Sequence, residues 1–187
     1  MGIEVKLAKV RLAFPHLFEP DAFEDGQKPK YSCNLIIPKG SANHALLSST
    51  VKKLITETWP DGTPNGFKHC LRDGSEKGRT DGFGDDVIFI VPKNEKAPAV
   101  IDRDRSQLSE RSDRPYAGCY VNAIVELWAQ NTQKYKRVNV SLLGVQFAED
   151  GESFGGSRVA RASDFDDLSN EPGAPVTATA EADPLFM

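Results

Sequence analysis

The sequence contains little of what secreted, membrane-spanning or metal-binding proteins require. Its 187 residues include three cysteines, Cys33, Cys70 and Cys119, and this odd, widely spaced set argues against a disulfide framework and fits a reducing compartment. No apolar run approaches the roughly 20 residues needed to cross a bilayer, and the charged N-terminal stretch does not resemble a signal peptide. The three histidines show no metal-ligand spacing with one another. We therefore expect a cytoplasmic protein with no membrane contact and no metal or other cofactor.

The sequence also lacks the short motifs of common enzyme classes. It contains no GxxxxGK[ST], no HExxH and no CxxC. Asp102 and Asp104 resemble the start of a calcium-binding loop, but the glycine and the closing glutamate of such a loop are missing. The sequence therefore predicts a protein that is not an enzyme. A metal-dependent nuclease that uses Asp102 and Asp104 is the weakest alternative.

Charge is unevenly distributed along the chain. Six of the 27 acidic residues, and none of the 23 basic ones, lie from residue 163 onward, so the first 162 residues carry 23 bases against 21 acids. Such asymmetry is typical of proteins that bind nucleic acid or carry an interaction tail. The tail is acidic and then rich in Pro, Ala and Thr, which is a disordered composition. We expect one folded domain over 1–162 and a disordered tail over 163–187.

Hydrophobic periodicity predicts five or six strands and one helix. The predicted strands are 3–14, 31–38, 86–92, 99–102, 120–130 and 135–147, the last two forming the clearest hairpin. Helical spacing of apolar residues predicts a helix over about 41–59, with Ser41 as its N-cap. The turn-rich connection 60–85 is long for a compact domain, and such loops are usually functional or mobile. This pattern favours a mainly β fold with long loops, with an OB-fold-like five-stranded barrel as the leading candidate.

Basic residues occur in bursts beside aromatic ones. Binding a single nucleic-acid strand without sequence preference requires cations for the phosphates and exposed rings for base stacking. The interleaving favours these DNA-binding candidates: Arg11, Lys28, Lys30, Tyr31, Arg103, Arg105, Arg111, Arg114, Tyr116, Trp128, Lys134, Tyr135, Lys136 and Arg137. The alternative interpretation is that the rings, Phe14 among them, pack in the core or at its rim while the cations only solvate loops.

Two rings are the strongest stacking candidates. Tyr135 lies between two lysines near the tip of the predicted hairpin, where a side chain is exposed. Trp128 lies on the opposite strand face from Val125 and Leu127, so it points outward if those two residues face the core. A base could cover Trp128 there, and the competing interpretation is that the helix at 41–59 covers it.

The last seven residues, EADPLFM, combine acids with bulky apolar side chains. A disordered terminus without a docking function has no need of such residues. Glu181, Asp183, Leu185 and Phe186 are therefore the predicted contacts to a protein partner.

The quoted segments together resemble a known family. RLAFPHLFEP, KPKYSCNLIIPK, YAGCYVNAIVELWA and VNVSLLGVQFAEDGESFGG, within residues 3–158, are similar to the phage single-stranded DNA-binding proteins of the OB-fold type known from an Enterobacter phage. The acidic tail resembles the C-terminal peptides of single-stranded DNA-binding proteins, which recruit replication enzymes. Here Met187 follows Phe186, a departure from the usual ending that favours phage enzymes over host enzymes as partners.

The resemblance implies a phage protein of replication or recombination in the host cytoplasm. It would coat and protect single-stranded DNA without sequence preference and recruit replication or recombination enzymes through its tail. A phage structural or protein-interaction module that does not bind DNA is the alternative. The sequence leaves the oligomeric state open, a homo-oligomer included.

Overall fold

A computed structural model describes residues 2–22, 24–155 and 165–169. In chain order the elements are β1 (Gly2–Asp21), β2 (Lys30–Pro38), α1 (Ala42–Thr58), β3 (Arg72–Asp73), a short 3₁₀ helix (Gly74–Lys77), β4 (Val87–Ile90), β5 (Lys93–Asn94), β6 (Ala99–Ile101), β7 (Tyr120–Asn131) and β8 (Lys136–Glu149). The predicted domain boundary between 162 and 163 lies outside the described residues. So do the four predicted partner contacts of the tail, Glu181, Asp183, Leu185 and Phe186.

Five strands close into a ring. The hydrogen-bonded order is β1–β7–β8–β5–β2, and β2 pairs back onto β1. β4 and β3 continue the sheet outward from β2, and β6 lies beside β8. The predicted OB-like, mainly β fold with one helix is therefore confirmed. The ring is not a regular barrel, because β5 has two residues and meets β8 at the Lys93–Ser141 pair.

The interior of the ring is built by strand alternation. Val121, Val125 and Leu127 of β7 are fully buried and face buried residues of β8 such as Leu142, as their period of two predicts. β2 differs, because all of its residues from 32 to 37 are buried. Its odd-numbered side chains enter the main core, whereas Ile36 joins a second cluster on the outer face.

The helix forms as predicted and seals one side of the ring. Ser41 is the N-cap, and its side chain accepts a hydrogen bond from the backbone N–H of His44. Leu47, Val51 and Leu54 of α1 are buried in the main core. This apolar stripe supplies most of the stability of the helix, because an isolated helix of this length is marginal in water.

The first strand is longer than predicted, and its register shifts at three points. The first shift lies between Leu7 and Val10, where Lys9 has φ 50°, the second between Ala13 and His16, where Phe14 has φ 44°, and the third between His16 and Asp21. Bulges bend and twist a strand. β1 can therefore pair with β7 over its first half and with β2 over its second half, and it turns a corner of the ring.

A tight contact at Gly118 fastens the start of β7 to β1. The N–H of Gly118 donates to the carbonyl of Leu12, and the N–H of Leu12 donates to the carbonyl of Cys119. Gly118 has φ 103°, and a Cβ there would collide with the carbonyl oxygen of Glu152. Both the backbone conformation and the lack of space therefore require glycine at this position.

Gly118→Ala should destabilise the fold far more than Gly62→Ala. Gly62 has a similar φ of 118° but open space around its Cα, so it controls for backbone strain alone. The collision at Gly118 should add about 1–3 kcal/mol to the loss in unfolding free energy, measured by urea denaturation. Equal losses for the two variants would contradict the close approach of the 152 segment.

Candidate nucleic-acid interface

An open groove of about 780 Å³ runs along the outer face of the ring. The floor is formed by outward side chains of β7 and β8, among them Trp128, Arg137, Asn139 and Ser141. Two segments, 68–72 and 93–96, form the opposite wall, and they include only the two-residue strands β3 and β5. The residues of this wall are Lys68, His69, Cys70, Arg72, Lys93, Asn94, Glu95 and Lys96.

One wall is held in place by backbone hydrogen bonds to β8. The N–H of Lys68 donates to the carbonyl of Lys136 (3.1 Å), and the N–H of Val138 donates to the carbonyl of Lys68 (3.0 Å). The 60–85 connection is thereby attached to the β8 edge, opposite Arg137. An edge strand has backbone groups that need partners, and here the partner is a segment that brings a lysine with it.

Positive charge dominates the groove. Six of the residues that line the groove are cations: Lys30, Lys68, Arg72, Lys93, Lys96 and Arg137. Glu95 is the single carboxylate in the lining. The pKa of Lys93 is lowered, first by burial and then by the nearby charges of Lys30 and Arg72. Crowded like charges of this kind favour the approach of an anion, because an anion relieves their repulsion.

Trp128 lies in this groove. Its ring is half-buried, and its indole N–H donates to the hydroxyl of Ser141 at 2.9 Å. The predicted outward orientation is confirmed. The competing idea that the helix covers Trp128 is wrong, because α1 packs on the main core and none of its described residues lines the groove.

The hairpin tip adds a second ring beside the groove. Tyr135 is 37% exposed, and the guanidinium carbon of Arg137 lies 4.3 Å from the centre of its ring. The Lys134 ammonium is 5.1 Å from the same ring. Lys136 hydrogen-bonds Asn131 across the turn. An exposed ring with cations over it combines a stacking surface with groups that meet phosphates.

Two further predicted residues border the groove. Lys28 is exposed and pairs with Glu95 at 3.2 Å. Tyr31 is half-buried at the start of β2 and pairs in register with Asn94 of β5. Both residues are close in sequence to Lys30, which begins β2 and lines the groove.

The structure does not bring the 103–116 candidates to this groove. Their loop follows β6, whose Ile101 pairs with Gln146, about 30 Å along β8 from Arg137. Arg103, Arg105 and Arg111 are exposed there. Arg114 pairs with Asp102 at 3.5 Å, and the hydroxyl of Tyr116 donates to Asp150 at 2.6 Å.

Arg11 is likewise engaged inside the protein. Its Nε donates to the carbonyl of Gly118 and its Nη2 to that of Glu152, at 3.1 and 3.0 Å. Its guanidinium carbon lies 4.4 Å from the centre of the Phe154 ring. These contacts tie the 150s segment to β1, away from the groove.

Asp102 and Asp104 are not arranged as a metal site. Ser106 donates two hydrogen bonds to Asp104, through its N–H and its hydroxyl, and these lower the pKa of that carboxyl. Over the described ranges no group of three or more His, Cys, Asp or Glu side chains is placed to hold a metal ion. In the same ranges no helix is both long and apolar enough to span a membrane.

Sequence reasoning missed four of the six groove cations. Lys68 and Arg72 belong to the turn-rich connection, and Lys93 and Lys96 flank a two-residue strand. Of these four residues only Lys68, which follows Phe67, has an aromatic residue next to it in the sequence. The available signal was the length of the 60–85 connection, which by itself indicated a functional loop.

A ring of strands with a cationic, tryptophan-lined groove on its outer face defines an OB-like protein of the nucleic-acid-binding class. The family model of the Enterobacter phage Enc34 ssDNA-binding protein matches residues 3–174. The chain therefore belongs to this family of phage single-stranded DNA-binding proteins, and the resemblance seen in the sequence is confirmed.

Three relatives show how far the similarity extends. The single-stranded DNA-binding protein of bacteriophage Enc34, in complex with ssDNA, is 28% identical with a TM-score of 0.66, over 81% of this chain and 89% of that one. Protein p50 of Acyrthosiphon pisum secondary endosymbiont phage 1 is 40% identical in a 179-residue alignment that covers 89% of this chain and 95% of p50. The gp2.5 single-stranded DNA-binding protein of bacteriophage T7 is 13% identical with a TM-score of 0.53, over 92% of this chain and 98% of that one, and shows the fold alone.

Lys30→Gln should raise the pKa of Lys93 toward its ordinary value. The rise should be partial, because burial, the larger cause of the lowering, remains. An NMR titration of the methylated lysines measures this pKa directly. Lys28→Gln is the matched control, since Lys28 pairs with Glu95 and is not among the groups that shift Lys93. An unchanged pKa of Lys93 in Lys30→Gln would contradict the crowding of charge in the groove.

Proposed function

We propose that this protein binds single-stranded DNA, without sequence preference, in the groove between β7, β8 and the Lys68 and Lys93 segments. The observation that carries the proposal is the joint presence of six cations and Trp128 in one open groove. Membership of the Enc34 family supports it, as does the Enc34 relative, which is described in complex with ssDNA.

The chemistry of the groove favours a single strand over a duplex. Base stacking on Trp128 or Tyr135 requires a base whose face is free, and every base has such a face. Lysine and arginine side chains meet phosphates, which carry no sequence information. Stacking and phosphate contacts together bind a flexible strand of any sequence.

The biological role that follows is protection of single-stranded DNA during phage replication or recombination, in the host cytoplasm. On this proposal the protein performs no chemistry and acts by coating the strand. Residues 1–162 form the DNA-binding domain. The 163–187 tail recruits replication or recombination enzymes, with Leu185 and Phe186 entering an apolar pocket and Glu181 and Asp183 meeting basic residues at its rim. Self-association along the strand is compatible with this role.

Oligo-dT should bind tightly and in a salt-sensitive manner, whereas a duplex of equal length should not. Lys93→Gln and Arg137→Gln should each reduce the slope of log affinity against log salt by about 0.7, the value for one phosphate contact on a single strand. Fluorescence anisotropy at several salt concentrations measures both effects.

Lys53→Gln is the control for lost charge alone. Lys53 is exposed on α1, where it pairs with Glu57 at 4.0 Å, so its removal should leave the slope unchanged. Equal slopes for all three variants would place the strand elsewhere. No binding by the unaltered protein at low salt would reject the function and favour the protein-interaction alternative.

Deletion of residues 163–187 should tighten binding to oligo-dT at low salt. Without DNA, the six acids of the tail compete for the cationic groove, and their removal abolishes that competition. The gain should vanish at high salt, where charge interactions are screened. Anisotropy on the full and shortened chains tests this, and unchanged or weaker binding after deletion contradicts tail competition.

A further inference from the structure

A second pocket, apolar and about 410 Å³ in volume, lies outside the groove. Phe14 and Pro15 of β1 form one side of it, Thr80 another, and Phe154 a third. Phe14 is 48% exposed although it belongs to a long strand. Neither the main core nor the groove contains this ring.

Phe14 is exposed and also has an unfavourable backbone conformation. Its φ of 44° lies in the left-handed region, within the second bulge of β1. This region is unfavourable for a non-glycine residue, and such strain concentrates at binding sites. Bulges next to functional sites re-aim a side chain, and this one directs a phenyl ring at the pocket.

One cation, Lys77, lies over the ring, and one carboxylate, Asp81, lines the pocket. The ammonium of Lys77 lies 5.5 Å from the centre of the Phe14 ring and 5.6 Å from that of Phe89. A flat apolar surface with a cation beside it suits a nucleotide, whose base stacks and whose phosphate pairs with the cation.

A series of ring contacts runs from the pocket toward the groove. Phe14 contacts Phe83 (ring centres 6.2 Å apart), and Phe83 contacts Phe89 (5.1 Å). The guanidinium of Arg72, which lines the groove, lies 4.8 Å from the Phe89 ring. Phe89 itself is fully buried, so Arg72, Phe83 and Lys77 are the side chains that mark the route from the groove to Phe14.

We propose that the pocket beside Phe14 is a second stacking subsite, which takes an unpaired base of the same strand that fills the groove. Lys77 pairs with the adjoining phosphate. The subsite accepts any base, because its walls are mainly apolar and stacking requires only a ring face. The proposal rests on the proposed single-stranded DNA binding and extends its footprint across β2 and β4.

Phe14→Gly tests the subsite in the full-length protein. Binding of a dT oligomer of about 16 nucleotides should weaken five-fold or more, the lower end expected for one lost base stack. An oligomer of about four nucleotides, which the groove alone can hold, should bind as before. Urea unfolding should show no loss of stability, since glycine adopts this φ without strain.

Leu46→Ala is the control for removal of an exposed apolar side chain. Leu46 is 42% exposed on α1, away from both sites, and its variant should bind both oligomers as the unaltered protein does. A long dT oligomer carrying 5-iodouracil should in addition cross-link to Phe14 on irradiation, which mass spectrometry detects.

The outcomes separate the subsite from the function on which it rests. Failure of the unaltered protein to bind either oligomer rejects single-stranded DNA binding itself. Normal binding of the long oligomer by Phe14→Gly rejects the subsite alone. Weakened binding without any cross-link at Phe14 also rejects it, and would assign the pocket to another occupant such as the C-terminal segment of this chain.

Discussion

The rest of the structure depends on one constraint: the edge of β8 that faces away from β7 must find hydrogen-bond partners. β7 pairs with one edge of this 14-residue strand along its whole length. Its other edge carries N–H and C=O groups that also need partners. Three short segments supply them: Lys68, the Lys93–Asn94 strand and Ala99–Ile101. The contacts on this edge therefore both close the ring and build a wall of the groove.

This way of pairing an edge explains why the groove is cationic. Segments that bind through their backbone leave their side chains available, and two of the three carry lysine at the pairing position. Lys93 lies close enough to Lys30 and Arg72 for its pKa to be lowered. The folded protein thus holds repelling charges together through backbone hydrogen bonds, and a polyanion is the ligand that lowers the electrostatic free energy of this arrangement.

The parts of the fold that follow from local pattern were predictable. Val121, Val125 and Leu127 are an even number of positions apart, so they share one face of β7 and place Trp128 on the other, and Ser41 marks the start of the helix. A two-residue strand such as Lys93–Asn94 has no periodicity to detect. The bulge at Phe14 depends on β1 changing partners, which no single segment encodes. Local pairing of cations with aromatics therefore found Arg137 and Tyr135 but also selected Arg11 and Tyr116, whose polar atoms are engaged within the protein.

Hydrogen exchange with and without oligo-dT tests most directly whether this edge is the DNA-binding element. A bound strand neutralises the groove cations and should slow exchange at the amides of Lys68 and Val138, which join the wall to β8. We expect this protection there and little change in the 102–116 loop. Protection confined to the 102–116 loop, with Lys68 and Val138 unaffected, would contradict it.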